Sequence, residues 1–332
     1  MKAFKLLIAM IIIFSCMTGL ALTEEAKKKV IGFIPMTMGN EYFLIMVNAA
    51  RSEAKRQNVE LLVKYGGITH KNLNQQIKIV EDMIAQEVDA ICIVPSSTGV
   101  FRAIEKAQQA KIPIINIDTR IDPEFIKKYE VATIPYIGTN NYTGAKKGGE
   151  YSINTLGISG KKAAILIGIS NHQNAKDRWN GFKDAVFEKV FIVAERPANW
   201  EFDEAYYRFK EILQNNLDLT FVFACNDNMA LGAIKAIKET ERKNITVMGY
   251  DGTTSALDAI ENRTMAATVA QLPAEMGIKG VQMALELIKG NQVPEITYTE
   301  TKIIDSSNVS KFKAYLNQYT EPFSEIVRIN QK

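Results

Sequence analysis

The sequence predicts an α/β protein of two lobes, each built on a parallel sheet with helices on both faces. Three observations carry this. Short apolar runs alternate strictly with amphipathic helical stretches along most of the chain. The apolar runs are continuous, as in FVFAC at 221–225, which marks strands buried on both faces. The pattern also restarts around Ile137-Gly138-Thr139, so 332 residues divide into two units of ordinary size.

The chain opens with a targeting segment at 1–21. Lys2 and Lys5 give a positive start, residues 6–17 are apolar, and Gly19 and Ala21 supply small residues at the cleavage-determining positions. The run is barely long enough to span a bilayer, and no stop-transfer pattern follows. Ile13-Phe14-Ser15-Cys16 loosely resembles a lipoprotein box, which makes anchoring through Cys16 a second route, although Phe14 is unusual there. The mature chain is therefore expected outside the cytoplasm, in the periplasm. Cys92 and Cys225 fall inside apolar strand patterns and read as small buried hydrophobes rather than a disulfide. A net charge of +3 with scattered lysines gives no footprint for nucleic acid.

In the first lobe, strands are expected at 30–35, 60–65, 89–94 and 113–117. Helices follow from the shared faces of Phe43, Met46, Val47 and Ala50, of Leu73, Ile77, Val80 and Ile84, and of Val100, Ala103, Ile104 and Ala107. In the second lobe, strands are expected at 162–168, 190–195, 221–225, 245–250, 264–270 and 297–304. Helices are expected at 142–156, 203–215 and 276–289, and another carries Met229, Ala233, Ile234 and Ile237 on one face. Asn226 or Asp227 makes its N-cap. Residues 305–332 form a polar, partly helical tail.

Polar and aromatic groups gather just past the strand ends, the edge at which open parallel sheets bind small ligands. The first lobe offers Asn40, Tyr42 and Phe43, then Asp118 with Thr119 or Arg120. The second offers Asn171 and Arg178, then Trp200, Asn226, Asp251 and Gln271. Taken singly, such residues are caps and turns; the recurrence of the layout points to a shared cleft. Tyr42 and Phe43 are adjacent on a helix, so at least one is expected to face that cleft. Carboxylates accept from hydroxyls, Arg donates in a fork, Asn and Gln do both, and aromatic faces suit the C–H faces of a sugar ring. No glycine-rich loop is aimed at an anion.

Catalysis is not expected. Asp118 and Asp251 are the one carboxylate pair with a glycosidase rationale. No G-x-S-x-G, H-E-x-x-H or P-loop occurs, and His70 and His172 are the only histidines, which argues against zinc. His70 reads as a loop residue, and His172 as a neutral hydrogen-bonding group near the cleft. No cofactor is implied.

FACNDNMALGA (223–233), GYDGT (249–253), ATVAQLP (267–273) and GTNNYTGAKKGGEY (138–151) together resemble the periplasmic sugar-binding proteins of the ribose-binding type, the substrate-capturing parts of bacterial ABC importers. The likeness covers roughly residues 29–304. It implies two doubly wound lobes joined by three hinge crossovers near Gly138, Gln271 and Glu300, the type I periplasmic binding protein fold. The lobes implied are 27–138 plus 272–299 and 139–271 plus 300–304. The resemblance makes Asn40, Asn226 and Gln271 amide ligands, Asp118 and Asp251 hydroxyl acceptors, and Arg178 (in DRWNGF) the sugar-binding arginine. It puts Tyr42, Phe43 and Trp200 against the ring. One departure is that Asp118-Thr119-Arg120 stands where the ribose pattern has Asp followed directly by Arg, an insertion able to move the guanidinium out of the cleft. Implied partners are a monosaccharide, a pentose or hexose pyranose, and a membrane permease, with the chain a monomer. The same core occurs in LacI-type regulators, which would need a helix-turn-helix where this chain has its leader. A sensor role, in which the closed form is presented to a chemoreceptor or kinase, would use the same binding chemistry.

Overall fold

The computed structural model describes residues 28–67, 73–128, 133–240, 242 and 244–320. The expected leader, Cys16 and His70 lie outside them. Strands and helices alternate from the start: β1 (Val30–Ile34), α1 (Glu41–Arg56), β2 (Glu60–Val63), α2 (Leu73–Ala85), β3 (Ala90–Ile93), α3 (Phe101–Gln109), β4 (Ile114–Ile117), α4 (Pro123–Lys128) and β5 (Tyr136–Thr139). The chain then crosses into α5 (Asn141–Asn154), β6 (Lys162–Ile167), α6 (Gln173–Val186), β7 (Phe191–Pro197), α7 (Phe202–Asn215) and β8 (Phe221–Ala224). It continues through α8 (Asp227–Lys238), β9 (Thr246–Asp251), α9 (Thr254–Glu261) and β10 (Ala267–Ala270). A second crossing leads to α10 (Pro273–Ile288) and β11 (Ile296–Thr299), and a third to β12 (Lys302–Asp305) and α11 (Val309–Leu316).

Two six-stranded sheets result, ordered β11-β5-β4-β3-β1-β2 and β12-β10-β9-β8-β6-β7. Every pairing is parallel except β10 with β12. Each sheet is doubly wound, reversing order beside β1 and beside β6. The expected single strand at 297–304 is in fact two: β11 closes the edge of the first sheet and β12 the edge of the second. Glu300-Thr301, outside both strands, carries the chain from one sheet to the other.

The two-sided burial follows from a period of two. In the first lobe Ile31, Phe33, Cys92 and Ile115 point to one face, against Met46, Val47 and Ala50 of α1 and Met276 and Val281 of α10. Ile34, Ile91, Ile93 and Ile114 point to the other, against Val80 and Met83 of α2 and Ile104 of α3. Burying such side chains is worth about 1.5–3 kcal/mol each, which is what stabilises strands of only four or five residues. Cys92 and Cys225 are buried and free.

Asparagine side chains fix where three helices begin. The Oδ1 atoms of Asn40, Asn140 and Asn226 accept from the backbone of Tyr42 (3.0 Å), Thr143 (3.0 Å) and Met229 (2.9 Å). Each such cap is worth about 1 kcal/mol. The N-cap of α8 is thus Asn226, which leaves Asp227 for another role.

Candidate ligand-binding cleft

The residues that follow the strand ends of the two lobes converge on a cavity of about 40 Å³ between them. The first lobe contributes Met36, Asn40, Tyr42, Phe43, Asp118 and Thr119. Opposite stand Arg178, Trp200, Asn226, Asp251 and Gln271, with His172 and Asn174 at one side. Ten of the twelve residues singled out from the sequence meet here. Arg120 and Asn171 line an adjoining cavity of about 260 Å³, where the extra residue after Asp118 has carried the guanidinium. The larger space lacks the buried carboxylate–guanidinium system, so the smaller one is the candidate primary site.

Arg178 organises it. Four per cent exposed, it donates from Nε to Asn141 Oδ1 (2.7 Å) and from Nη1 to the Cys225 carbonyl (2.8 Å) and Asp251 Oδ1 (2.9 Å). Its plane lies over the Tyr250 ring at 4.0 Å and near Trp200 at 5.3 Å. Nη2 is left with two hydrogens to offer. Asp251 also accepts from Gln271 Nε2 (2.7 Å) on the same Oδ1, and among the described residues nothing donates to Oδ2. Gln271 Oε1 is buried without a hydrogen bond. Across the cleft, Asp118 Oδ1 accepts from Tyr42 (3.0 Å) and Oδ2 from Thr119 (3.2 Å).

The electrostatics follow from burial. Burial pushes Asp251 up to about 7, against the pull of Arg178 and the bond from Gln271; Asp227 and Asp118 push the same way. Burial alone would lower the Arg178 guanidinium, but Asp251, Tyr250, Asp118 and Tyr42 together outweigh it and hold it charged. One fixed cation thus faces two carboxylates. Tyr42 is raised well above the ordinary phenol range by burial and then by Asp118, so it remains a donor.

Backbone geometry aims these groups. Asp118, Trp200 and Asp251 all have positive φ, 60°, 69° and 127°. Such conformations cost on the order of 1–3 kcal/mol in a non-glycine residue and concentrate at functional sites. The Asp118 carbonyl is held by the Tyr136 hydroxyl (2.7 Å). Asp251 is held by Asp227 from below: Asp227 Oδ2 accepts from the backbones of Gly252 (2.7 Å) and Thr253 (2.8 Å), and Oδ1 from Thr268 Oγ1 (2.7 Å). A Cβ at Gly249 would lie 2.2 Å from that Oδ1, so the brace needs glycine there. Likewise a Cβ at Gly168 would meet the Trp200 ring at 2.2 Å, and its absence lets the indole pack over the end of β6.

Tyr42 and Phe43 both line the cavity, edge to face at 5.2 Å, while also contributing to the first-lobe core. His172 bridges the lobes: its Nε2 lies 3.1 Å from the Ser96 carbonyl, and Trp200 Nε1 donates to its Nδ1 (3.5 Å). Both contacts are met by the neutral ring with its proton on Nε2. Asn174 Nδ2 donates across the cleft to the Asp118 carbonyl (3.4 Å). Met36 and Asn174 were not legible beforehand. Met36 is an apolar residue after an apolar strand, and Asn174 is one amide in the run Asn171-His172-Gln173-Asn174, with nothing to single it out.

This fold is that of a periplasmic binding protein, two parallel-sheet lobes with a cleft between them. Residues 31–292 match the family model described as periplasmic binding protein domain, and the chain belongs to that family. It is a periplasmic sugar-binding component of bacterial ABC importers, of the ribose-binding type, and not an enzyme. Among its relatives is the D-ribose/D-allose-binding protein of Pseudomonas aeruginosa, 32% identical over 88% of this chain and 93% of that one. The ribose import binding protein of Escherichia coli is 30% identical over 83% and 90%. A solved ABC transporter periplasmic solute-binding protein from Actinobacillus succinogenes, with bound D-allose, superimposes with a TM-score of 0.80 at 30% identity, covering 86% of this chain and all of the other.

Proposed function

We propose that the chain captures one pentose or hexose pyranose between its lobes at the small cavity, which opens wider than its present volume of about 40 Å³ to admit the ring and closes over it by hinge motion, and delivers it as a monomer to a membrane permease. In this reading Asp118 and Asp251 accept hydroxyls from opposite lobes, Arg178 Nη2 donates in a fork, and the amides of Asn40, Asn226 and Gln271 complete the set. Tyr42, Phe43 and Trp200 enclose the ring. A leader at 1–21 directs the chain to the periplasm.

The observation that carries this reading is a buried cation–carboxylate pair, Arg178–Asp251, with an unbonded Gln271 oxygen beside it in the second lobe, facing Asp118 and Tyr42 of the first lobe across one cavity. A buried polar group left unpaired costs about 1–3 kcal/mol. A hydroxyl-rich ring satisfies several at once, and an apolar ligand satisfies none. Because the contacts come from both lobes, a sugar binds the closed form better and shifts the population towards it. The relatives that bind ribose and allose make those sugars the first to try.

The test is a thermal-shift screen with pentoses, hexoses, inositols, amino acids and nucleosides. A sugar at 100 times its dissociation constant adds about 2.7 kcal/mol of stability. A response confined to amino acids or nucleosides would overturn the ligand class. Superimposable scattering curves with and without saturating sugar would refute closure.

A further inference from the structure

The adjoining cavity has walls from both lobes and no part in the reading above. It shares Thr119, His172 and Asn174 with the small cavity, so the two spaces meet along one wall. Its own lining has the chemistry that reads a hydroxyl-rich ring. Tyr298, half exposed, offers the one open aromatic face of this lining, and the buried Tyr136 backs it edge to face at 6.3 Å. Arg120 lies over the Tyr136 ring at 5.5 Å, and among the described residues its guanidinium makes no hydrogen bond or ion pair. Thr139, on the same wall and 3% exposed, has a buried Oγ1 without a partner. Asp177 adds a half-buried carboxylate.

Charge decides between a neutral and an anionic occupant. Two cationic side chains, Arg120 and Lys176, are matched by two carboxylates, Asp122 and Asp177, so the cavity carries no net formal charge. A phosphate or carboxylate would meet as much repulsion as attraction. A neutral ring instead finds fork donors, acceptors and an aromatic face, as in the small cavity.

We propose that this cavity is an accessory subsite for a second glycosyl unit, joined to the sugar in the small cavity through the wall formed by Thr119, His172 and Asn174. The proposal rests on the sugar reading of the small cavity and widens the substrate class to short neutral glycosides. The His172–Ser96 and Asn174–Asp118 bridges open to admit the linkage. Arg120, displaced from the inner cavity by Thr119, then serves the second ring.

The test is titration calorimetry of the purified chain with monosaccharides (ribose, allose, glucose, galactose, arabinose, xylose), their methyl glycosides, and maltose, cellobiose, lactose and melibiose. At least one disaccharide is expected to bind one to one. Arg120→Ala and Tyr298→Ala are expected to weaken it tenfold or more while changing monosaccharide affinity less than twofold. Monosaccharide binding with no disaccharide binding overturns the subsite and leaves the sugar reading intact. Disaccharide binding indifferent to both substitutions also overturns it. Failure of every probe sinks the sugar reading itself, and the subsite with it.

Discussion

Replacing Arg178 by alanine tests the electrostatic construction of the cleft. The substitution removes three hydrogen bonds and strands a carboxylate that is 6% exposed. Breaking a buried pair in this way costs about 3–5 kcal/mol, because the remaining charge has no compensation. At about 2–4 °C per kcal/mol for a chain of this size, the melting temperature should fall by roughly 6–20 °C. The deficit should depend on pH. Asp251 is already raised to about 7 beside the guanidinium, and losing that cation pushes it higher. A carboxylate raised in the folded chain loses stability as pH rises from its ordinary range through its folded pKa. The variant should therefore be weakest at pH 8–9 and recover towards pH 6, by at most about 1.4 kcal/mol per pH unit. Adding Asp251→Asn removes the stranded charge, so the double variant should be more stable than Arg178→Ala alone at pH 8. Denaturant melts of the two variants at pH 6 and 8 measure this. A double variant less stable than the single one at pH 8, with no pH dependence in either, would refute the stranded-charge reasoning.

The same carboxylate governs ligand affinity: a sugar hydroxyl donates more strongly to ionised Asp251 than to its neutral form, so the dissociation constant should rise as pH falls below about 7, by at most about tenfold per unit, and a flat calorimetric profile from pH 5.5 to 8 would contradict this. Asp227→Ala leaves the Gly252 and Thr253 amides and the Thr268 hydroxyl without their acceptor; at about 1–3 kcal/mol for each buried group it should cost at least 2 kcal/mol in a thermal melt, although Asp227 never touches the cavity. His172→Phe should weaken sugar binding by roughly 2- to 12-fold through loss of the bridge to Ser96, the equivalent of about 0.5–1.5 kcal/mol, and should raise the dissociation rate in stopped flow.

Most strands were legible because their apolar runs are continuous, and the helices because theirs repeat at helical spacing; the strand at Tyr136–Thr139, short and holding Gly138, read only as the point where the pattern restarts. The strand at 297–304 was misread because Ile296 to Asp305 keeps one β-rich pattern while its halves serve different sheets, and sheet partnership leaves no local trace. The short helices at Pro123–Lys128 and Thr254–Glu261 also escaped, being too short to show a period. At the site, polar residues at strand ends were enough to find Asp118, Arg178, Asn226 and Asp251. The choice between cap and ligand was not exclusive: Asn40 and Asn226 commit Oδ1 to a helix start and still line the cavity. What stayed hidden was conformation. Positive φ at Asp118, Trp200 and Asp251 is set by surrounding contacts such as the Asp227 brace and the Tyr136 hydroxyl, not by a glycine in the sequence.

The central claim is that a sugar is held between Asp118 and Asp251 by residues of both lobes. Titration calorimetry of the purified chain with D-ribose, D-allose and the common pentoses and hexoses at pH 8 tests it most directly. One-to-one binding of at least one of them is expected, abolished by Asp118→Ala in the first lobe and equally by Asp251→Ala in the second. A sugar that binds as tightly to either variant as to the native chain, or no heat with any sugar, would contradict it.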